Sequence, residues 1–279
     1  MATKRREAQR AAREARQAAL LAQQRAAKRR RQIISGLVAF ALVAGVFLAF
    51  SGGRSKGKKE TTTGSSTTVA SSTTKASSTT AAPVDVPKAP AGKTLSGDTP
   101  CPPPDGSADR VRTFAKAPPM CIDAAKRYVA EMTTNKGLVT IALDPKAAPK
   151  TVNSFVVLSR YHYYDGVSFH RIIPGFVVQG GDPEATGSGG PGYKFDDELP
   201  AAGKYKVGSL AMANSGPNTN GSQFFIITGD QGVQLPPNYS LFGEVTSGLD
   251  VVRKLEAAGT ADGKPTEVVT IQSVTIKES

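Results

Sequence analysis

Phe169-His170-Arg171-Ile172-Ile173-Pro174-Gly175-Phe176-Val177-Val178-Gln179-Gly180-Gly181-Asp182 is the stretch from which the fold is read. Pro174-Gly175 is a tight-turn dipeptide between two short apolar runs, so the stretch predicts a strand, a turn and a second strand. That geometry places Arg171 and Gln179 at neighbouring points on one face. A guanidinium among apolar side chains is expensive to desolvate without partners. Two readings follow: an edge-strand arginine reaching water, or a charged donor held over an apolar pocket that includes Phe176.

A second stretch bears on the choice. Leu210-Ala211-Met212-Ala213-Asn214-Ser215-Gly216-Pro217-Asn218-Thr219-Asn220-Gly221-Ser222-Gln223-Phe224-Phe225-Ile226 is an apolar run, a long Gly/Asn turn and another apolar run. Together the two stretches resemble the cyclophilins, the peptidyl-prolyl cis-trans isomerases, and the bacterial membrane-anchored members in particular. The resemblance continues through Tyr164-Asp165-Gly166-Val167-Ser168 and Leu241-Phe242-Gly243, covering residues 128–279 in unbroken order. Two long motifs at compatible spacing carry far more information than one short pattern.

The resemblance implies a mainly β domain, a closed eight-stranded antiparallel barrel capped by two helices. It implies Arg171 as the catalytic donor and Gln179 as the residue that holds it. Phe176, Val177, Phe225, Leu235 and Tyr239 match positions lining the family's proline pocket, and Ala213, Asn214 and Gln223 match the peptide-binding positions beside it. Taken singly, most of these have a bland reading, Phe176 and Phe225 as core and Gln179 as a locally satisfied amide. Three departures stand out. Gln234 occupies the rim where cyclosporin-sensitive relatives often carry Trp, Tyr239 replaces a pocket His, and Val177 stands where Met is common.

Periodicity supports the same layout. Residues 128–134 and 138–143 alternate around Asn135-Lys136-Gly137 and read as a hairpin, and Pro149 suits a first helical turn. Val152, Phe155, Val156 and Leu158 follow helical spacing. Residues 183–200 form a Gly-rich loop in which Gly187-Ser188-Gly189-Gly190 resembles the family's loop beside the active site. Residues 207–213 and 223–228 read as strands, 251–258 as a second helix and 268–277 as a final strand. His162 and His170 are the only histidines, too few for a metal site without clustered Cys or carboxylates. The reaction implied calls for neither metal nor cofactor. His170 reads as a buried hydrogen-bonding residue.

Charge is partitioned along the chain. Residues 1–100 carry 18 Lys/Arg against 5 Asp/Glu, and residues 101–279 carry 17 against 18. The overall +12 therefore gives no basic nucleic-acid face to the domain, and any nucleic-acid or lipid-surface reading is confined to the basic arm, residues 1–31. Residues 33–50 contain no charge, enough helix for about 27 Å. Residues 32–51 thus read as a single-pass anchor. Eleven Lys/Arg precede the segment and four follow in residues 54–59, which puts the N-terminus in the cytoplasm and the domain outside. Cleavage at Ala49-Phe50-Ser51 is the competing reading, but the apolar core is longer than a signal usually has.

Residues 52–97 are Ser/Thr-rich and read as a disordered linker. Residues 98–127 form a Pro-rich extension that predicts no regular structure, followed by the domain at 128–279. Cys101 and Cys121 are the only cysteines. Outside the membrane an even pair reads as a disulfide, whereas two free thiols would suit a cytoplasmic protein. The partners expected are Pro-containing polypeptides and the membrane, with a monomeric chain. The alternative function is a cyclophilin-fold module that binds Pro-containing segments with little turnover.

Overall fold

A computed structural model describes residues 82–279. The basic arm, the apolar segment and the linker through residue 81 lie outside the described residues. Among those described, no helix is long and apolar enough to cross a membrane.

The domain is built from eight antiparallel strands. They are β3 (Tyr128–Thr134), β4 (Gly137–Leu143), β5 (Arg171–Ile173), β6 (Val177–Gly180), β7 (Ser209–Met212), β8 (Phe224–Ile227), β9 (Leu241–Ser247) and β10 (Ile271–Glu278). Their order across the sheet is β10-β3-β4-β9-β7-β8-β6-β5. β3 and β4 alternate buried and half-buried residues, as expected of strands with one face on a core. The sheet curls but its end strands, β5 and β10, form no ladder with each other. A single bridge, Ser168 to Thr270, stands there, with backbone hydrogen bonds from Gly166 to Ile271 and from Phe169 to Val269. The expected closed barrel is corrected in this respect: the segment before β5 passes β10 through a single bridge, and β5 itself is only three residues long and pairs with β6.

Among the described residues, three helices accompany the sheet where two were expected. α1 (Pro149–Arg160) carries Pro at its start and no side-chain cap of its own. Glu198 supplies one from afar, its carboxylate accepting the Lys150 and Thr151 N–H groups at 3.0 and 2.9 Å. A negative group there satisfies two orphan donors and complements the helix dipole. α1 presents Phe155 to Tyr164, Phe224 and Phe242, with ring centroids 5.0–5.7 Å apart. Burying each such ring contributes about 2–3 kcal/mol. α2 is one turn, Asp230–Val233, too short for periodicity to reveal. α3 spans Leu249–Glu256 and buries Val251, Val252 and Leu255.

The N-terminal part of the described chain departs from expectation. β1 (Lys93–Leu95) and β2 (Val111–Phe114) pair in parallel, so the linker does not extend to residue 97 and the extension is not irregular throughout. The prolines concentrate at 102–104 and 118–119, leaving residues 105–117 free to form a strand. Val111 and Phe114 belong to the main core, with Phe114 only 1% exposed. Arg112 is also buried. Its guanidinium donates to the Pro90 and Asp165 carbonyls and lies over the Tyr163 ring, 5.7 Å from the centroid. Burial pushes its pKa down to about 10, which leaves it cationic at neutral pH. Cys101 and Cys121 are bonded to each other, with Cα atoms 5.4 Å apart.

Candidate active site

Strands β6, β7 and β8 carry apolar residues on both faces. Val178, Leu210, Met212, Phe224 and Ile226 turn into the main core. The alternate residues Val177, Ala211, Phe225 and Ile227 turn the other way, where a second, smaller cluster forms with Tyr205. The period of two in a strand dictates this division. Phe176, Ala213, Leu235 and Tyr239 pack against the second cluster from turns and loops. Five loosely spaced parts of the chain thereby meet on one patch. Phe225 and Tyr239 stack edge-on with centroids 5.3 Å apart.

Polar groups adjoin this patch on the same strand face. Arg171 and Gln179 are directly paired across β5 and β6, and Gln179 is paired in turn with Phe225 on β8. The Arg171 guanidinium donates to Gln179 Oε1 at 3.1 Å and lies over the Phe176 ring, 5.5 Å from its centroid. Gln179 Nε2 donates to Gln223 Oε1 at 3.1 Å, and Gln223 Nε2 donates to the Gly189 carbonyl at 2.9 Å. Each amide has one donor end and one acceptor end, so the sequence of bonds fixes the orientation of both. The oxygen of Gln179 is thereby left facing the arginine.

Asn214 sits at the end of β7. Its side chain donates to the Asn238 carbonyl and accepts from the Gly216 N–H. Among the described residues, its own backbone N–H and C=O take no partner, an arrangement suited to an extended peptide strand. A polar cavity of about 230 Å³ adjoins, lined by Gln179, Gln223, Asn214, Ser215, the 187–190 glycine loop and Lys194 among others. A larger cavity of about 590 Å³, beside Leu143, Leu199 and Leu241, is lined by none of the residues expected to act in catalysis or peptide binding.

Two features were not legible in the sequence. Tyr205 holds the Tyr239 backbone from both sides, its hydroxyl donating to the Tyr239 carbonyl at 2.7 Å and accepting its N–H at 3.1 Å. Asp182, fully buried, accepts N–H groups from Glu184, Thr186, Gly187 and Gly189. Burial alone would raise its pKa, but these donors and nearby His170 bring it below the usual carboxylate value. Gly189 has no room for a side chain, since a Cβ there would meet the Asp182 carboxylate at 2.0 Å.

His170 corrects an expectation. Neither ring nitrogen has a hydrogen-bond partner, although both are buried. The carboxylate nearest in kind, Asp182, is already occupied by loop amides. Burial pushes the His170 pKa down and outweighs the upward pull of the Asp182 carboxylate, with a lesser downward contribution from the Arg171 charge. His162, by contrast, is bonded at both nitrogens, to Asp165 at 2.9 Å and to the Gly106 carbonyl at 2.8 Å.

The family model for cyclophilin type peptidyl-prolyl cis-trans isomerases matches residues 129–276. The chain belongs to the cyclophilin family. The probable peptidyl-prolyl cis-trans isomerase A of Mycobacterium leprae is 46% identical to this cyclophilin over 167 residues, 53% of this chain and 91% of the relative. The peptidyl-prolyl cis-trans isomerase B of Streptomyces anulatus is 43% identical over 173 residues, 55% of this chain and 98% of the relative. A solved structure of a Cryptosporidium parvum cyclophilin type isomerase in the presence of the dipeptide Ala-Pro superposes with a TM-score of 0.51 at 37% identity, covering 54% of this chain and 99% of that one. Residues 84–122 of this cyclophilin precede the matched region.

Proposed function

We propose that this cyclophilin isomerises Xaa-Pro bonds of polypeptides outside the cytoplasm, with Arg171 stabilising the twisted peptide. The carrying observation is the Arg171–Gln179 pair at the border of an apolar patch. An Xaa-Pro bond is slow to turn because amide resonance gives a barrier near 18–20 kcal/mol. No bond needs to break. As the peptide twists, conjugation is lost and the prolyl nitrogen gains a lone pair. A charged donor aimed at that nitrogen binds the twisted state more strongly than either planar state, which is the condition for catalysis.

The cluster of Phe176, Val177, Phe225, Leu235 and Tyr239 suits the proline ring, whose burial holds one side of the bond still. The unpaired backbone groups of Asn214 suit the chain on the other side. The Ala-Pro dipeptide named with the related parasite structure supports a Pro-containing peptide as the occupant. The apolar segment 32–51 and the basic arm before it support a membrane anchor with the domain outside, and the Cys101–Cys121 bridge agrees with an oxidising compartment.

The test is exchange spectroscopy or a coupled assay on a Pro-containing peptide, comparing wild type with Arg171→Ala. Loss of one charge-assisted contact in the twisted state should lower turnover by about a hundredfold, with peptide affinity changed far less. An alanine variant with wild-type turnover would remove Arg171 from the mechanism. A wild-type protein that binds the peptide without turnover would make the domain a binding module.

A further inference from the structure

The polar cavity beside Gln179 and Gln223 has a wall with no ladder of its own. Gly187, Ser188, Gly189, Gly190 and Lys194 line it, and residues 183–194 contain neither helix nor strand. The Asp182 carboxylate gathers the middle of this loop. Its two ends are held from elsewhere. Ala89 N–H donates to the Pro183 carbonyl at 2.7 Å, and Phe114 N–H donates to the Pro191 carbonyl at 2.8 Å. Lys88 pairs with Glu184 beside the first contact. At the second, Gly192 has φ +102° and lies so close to the Phe114 carbonyl that a Cβ would come within 2.5 Å of its oxygen. The Phe114 ring also meets Tyr193 edge-on at 6.2 Å.

Both outer ties come from the part of the chain that precedes the family match. Phe114 is itself fixed by burial against Tyr161 and Tyr163. The disulfide closes the loop that carries it, and Asn153 on α1 binds both the Cys121 N–H and the Pro119 carbonyl. The loop's inner contact with the site is the Gly189 carbonyl, which accepts from Gln223.

We propose that residues 84–122 form a clamp on the 183–194 loop, and that Phe114 is a positioning residue that sets affinity for the substrate residues flanking the proline. This rests on the groove assignment above. Without these two outer ties the loop would keep its Asp182 turn and its contacts with Gln223 and Ser154. The backbone at Pro183 and Pro191 would no longer be fixed, and the loop's distance from Asn214 and Ser215 across the cavity would vary. A minimal Xaa-Pro peptide confined to the apolar patch would not sense the difference. A peptide with several residues on each side of the proline would.

The experiment measures KM and kcat of the full chain for a minimal blocked Ala-Pro peptide and for a long Pro-containing peptide. Phe114→Ala is expected to raise KM for the long peptide by about tenfold, with a smaller change for the minimal one. Phe114→Leu, which keeps an apolar side chain of nearly the same reach, should restore most of the difference. Ala89→Pro removes one N–H donor away from the core and should shift long-peptide KM in the same direction by about two- to threefold. It decides the matter if Phe114→Ala fails to fold. Unchanged long-peptide KM in folded Phe114→Ala or, failing that, in Ala89→Pro overturns the clamp. If the wild type turns over neither peptide, the isomerase reading is what fails. The clamp is then judged by amide exchange at Gly187 and Gly189, which the variants accelerate if it exists and leave alone if it does not.

Discussion

Arg171 and Gln179 face each other as a directly paired couple on β5 and β6, and the guanidinium donates to the glutamine oxygen at 3.1 Å. Their separation is set by the backbone ladder, so the arginine's position does not depend on a mobile loop. Gln179 is oriented in turn by Gln223, whose amide is oriented by Gly189. Gln179→Ala should therefore lower turnover by about tenfold while leaving the fold intact, a smaller loss than Arg171→Ala. Gln179→Glu should fall between wild type and alanine, because a carboxylate still holds Arg171 but faces Gln223 with a second acceptor. A coupled isomerase assay with melting curves for each variant checks the order.

Loss of the disulfide is predicted to weaken the domain rather than merely release a tail. The bridge encloses a loop with a sequence separation of 20, and that loop carries Val111 and Phe114 into the core. The chain-entropy model gives a loss of about 3 kcal/mol. For a domain of this size that is a drop in Tm of roughly 6–12 °C. Thermal melting of wild type with and without reductant, and of Cys101→Ser with Cys121→Ser, measures it. Unchanged melting would mean that the packing around Phe114 holds the loop without the bridge.

Asp182→Asn should loosen the glycine loop. Four backbone donors point at the carboxylate, and an amide presents an N–H group to some of them. The mismatch costs about 1–3 kcal/mol. Because the folded pKa lies below the ordinary aspartate value, this stabilisation is present above about pH 4 and is lost as pH falls through the folded pKa. Denaturant titrations of both proteins should therefore differ at pH 7 and converge in strong acid.

His170 gives a dependence of the same sign at higher pH. Its folded pKa lies below the unfolded value of about 6.5, so the folded state binds fewer protons. Its contribution to stability is complete above that value and declines as pH falls through it towards the folded pKa. Wild type should lose stability between about pH 7 and pH 5 more steeply than His170→Gln. Parallel slopes in urea denaturation over that range would show that His170 protonates as readily folded as unfolded.

Period and turn chemistry in the sequence determined that 128–143 is a hairpin, that a helix starts at Pro149, and that Pro174-Gly175 reverses the chain between two strands. These are local properties, decided by which backbone angles and which faces a few adjacent residues prefer. The two motifs also named Arg171, Gln179, Phe176 and Phe225 together, although only pairing across β5, β6 and β8 puts them on one face of the sheet. The tertiary structure alone decided the rest. Asp182 was an unremarkable aspartate until four amides of a following loop converged on it, and Tyr205 could not be linked to Tyr239 across a gap of 34 residues. The short β2 was hidden by the prolines on both sides of it. Its Phe114 is buried because three tyrosines from elsewhere in the chain surround it. Burial and hydrogen-bond partners at such separations are set by where the chain returns to itself, which no window of adjacent residues contains.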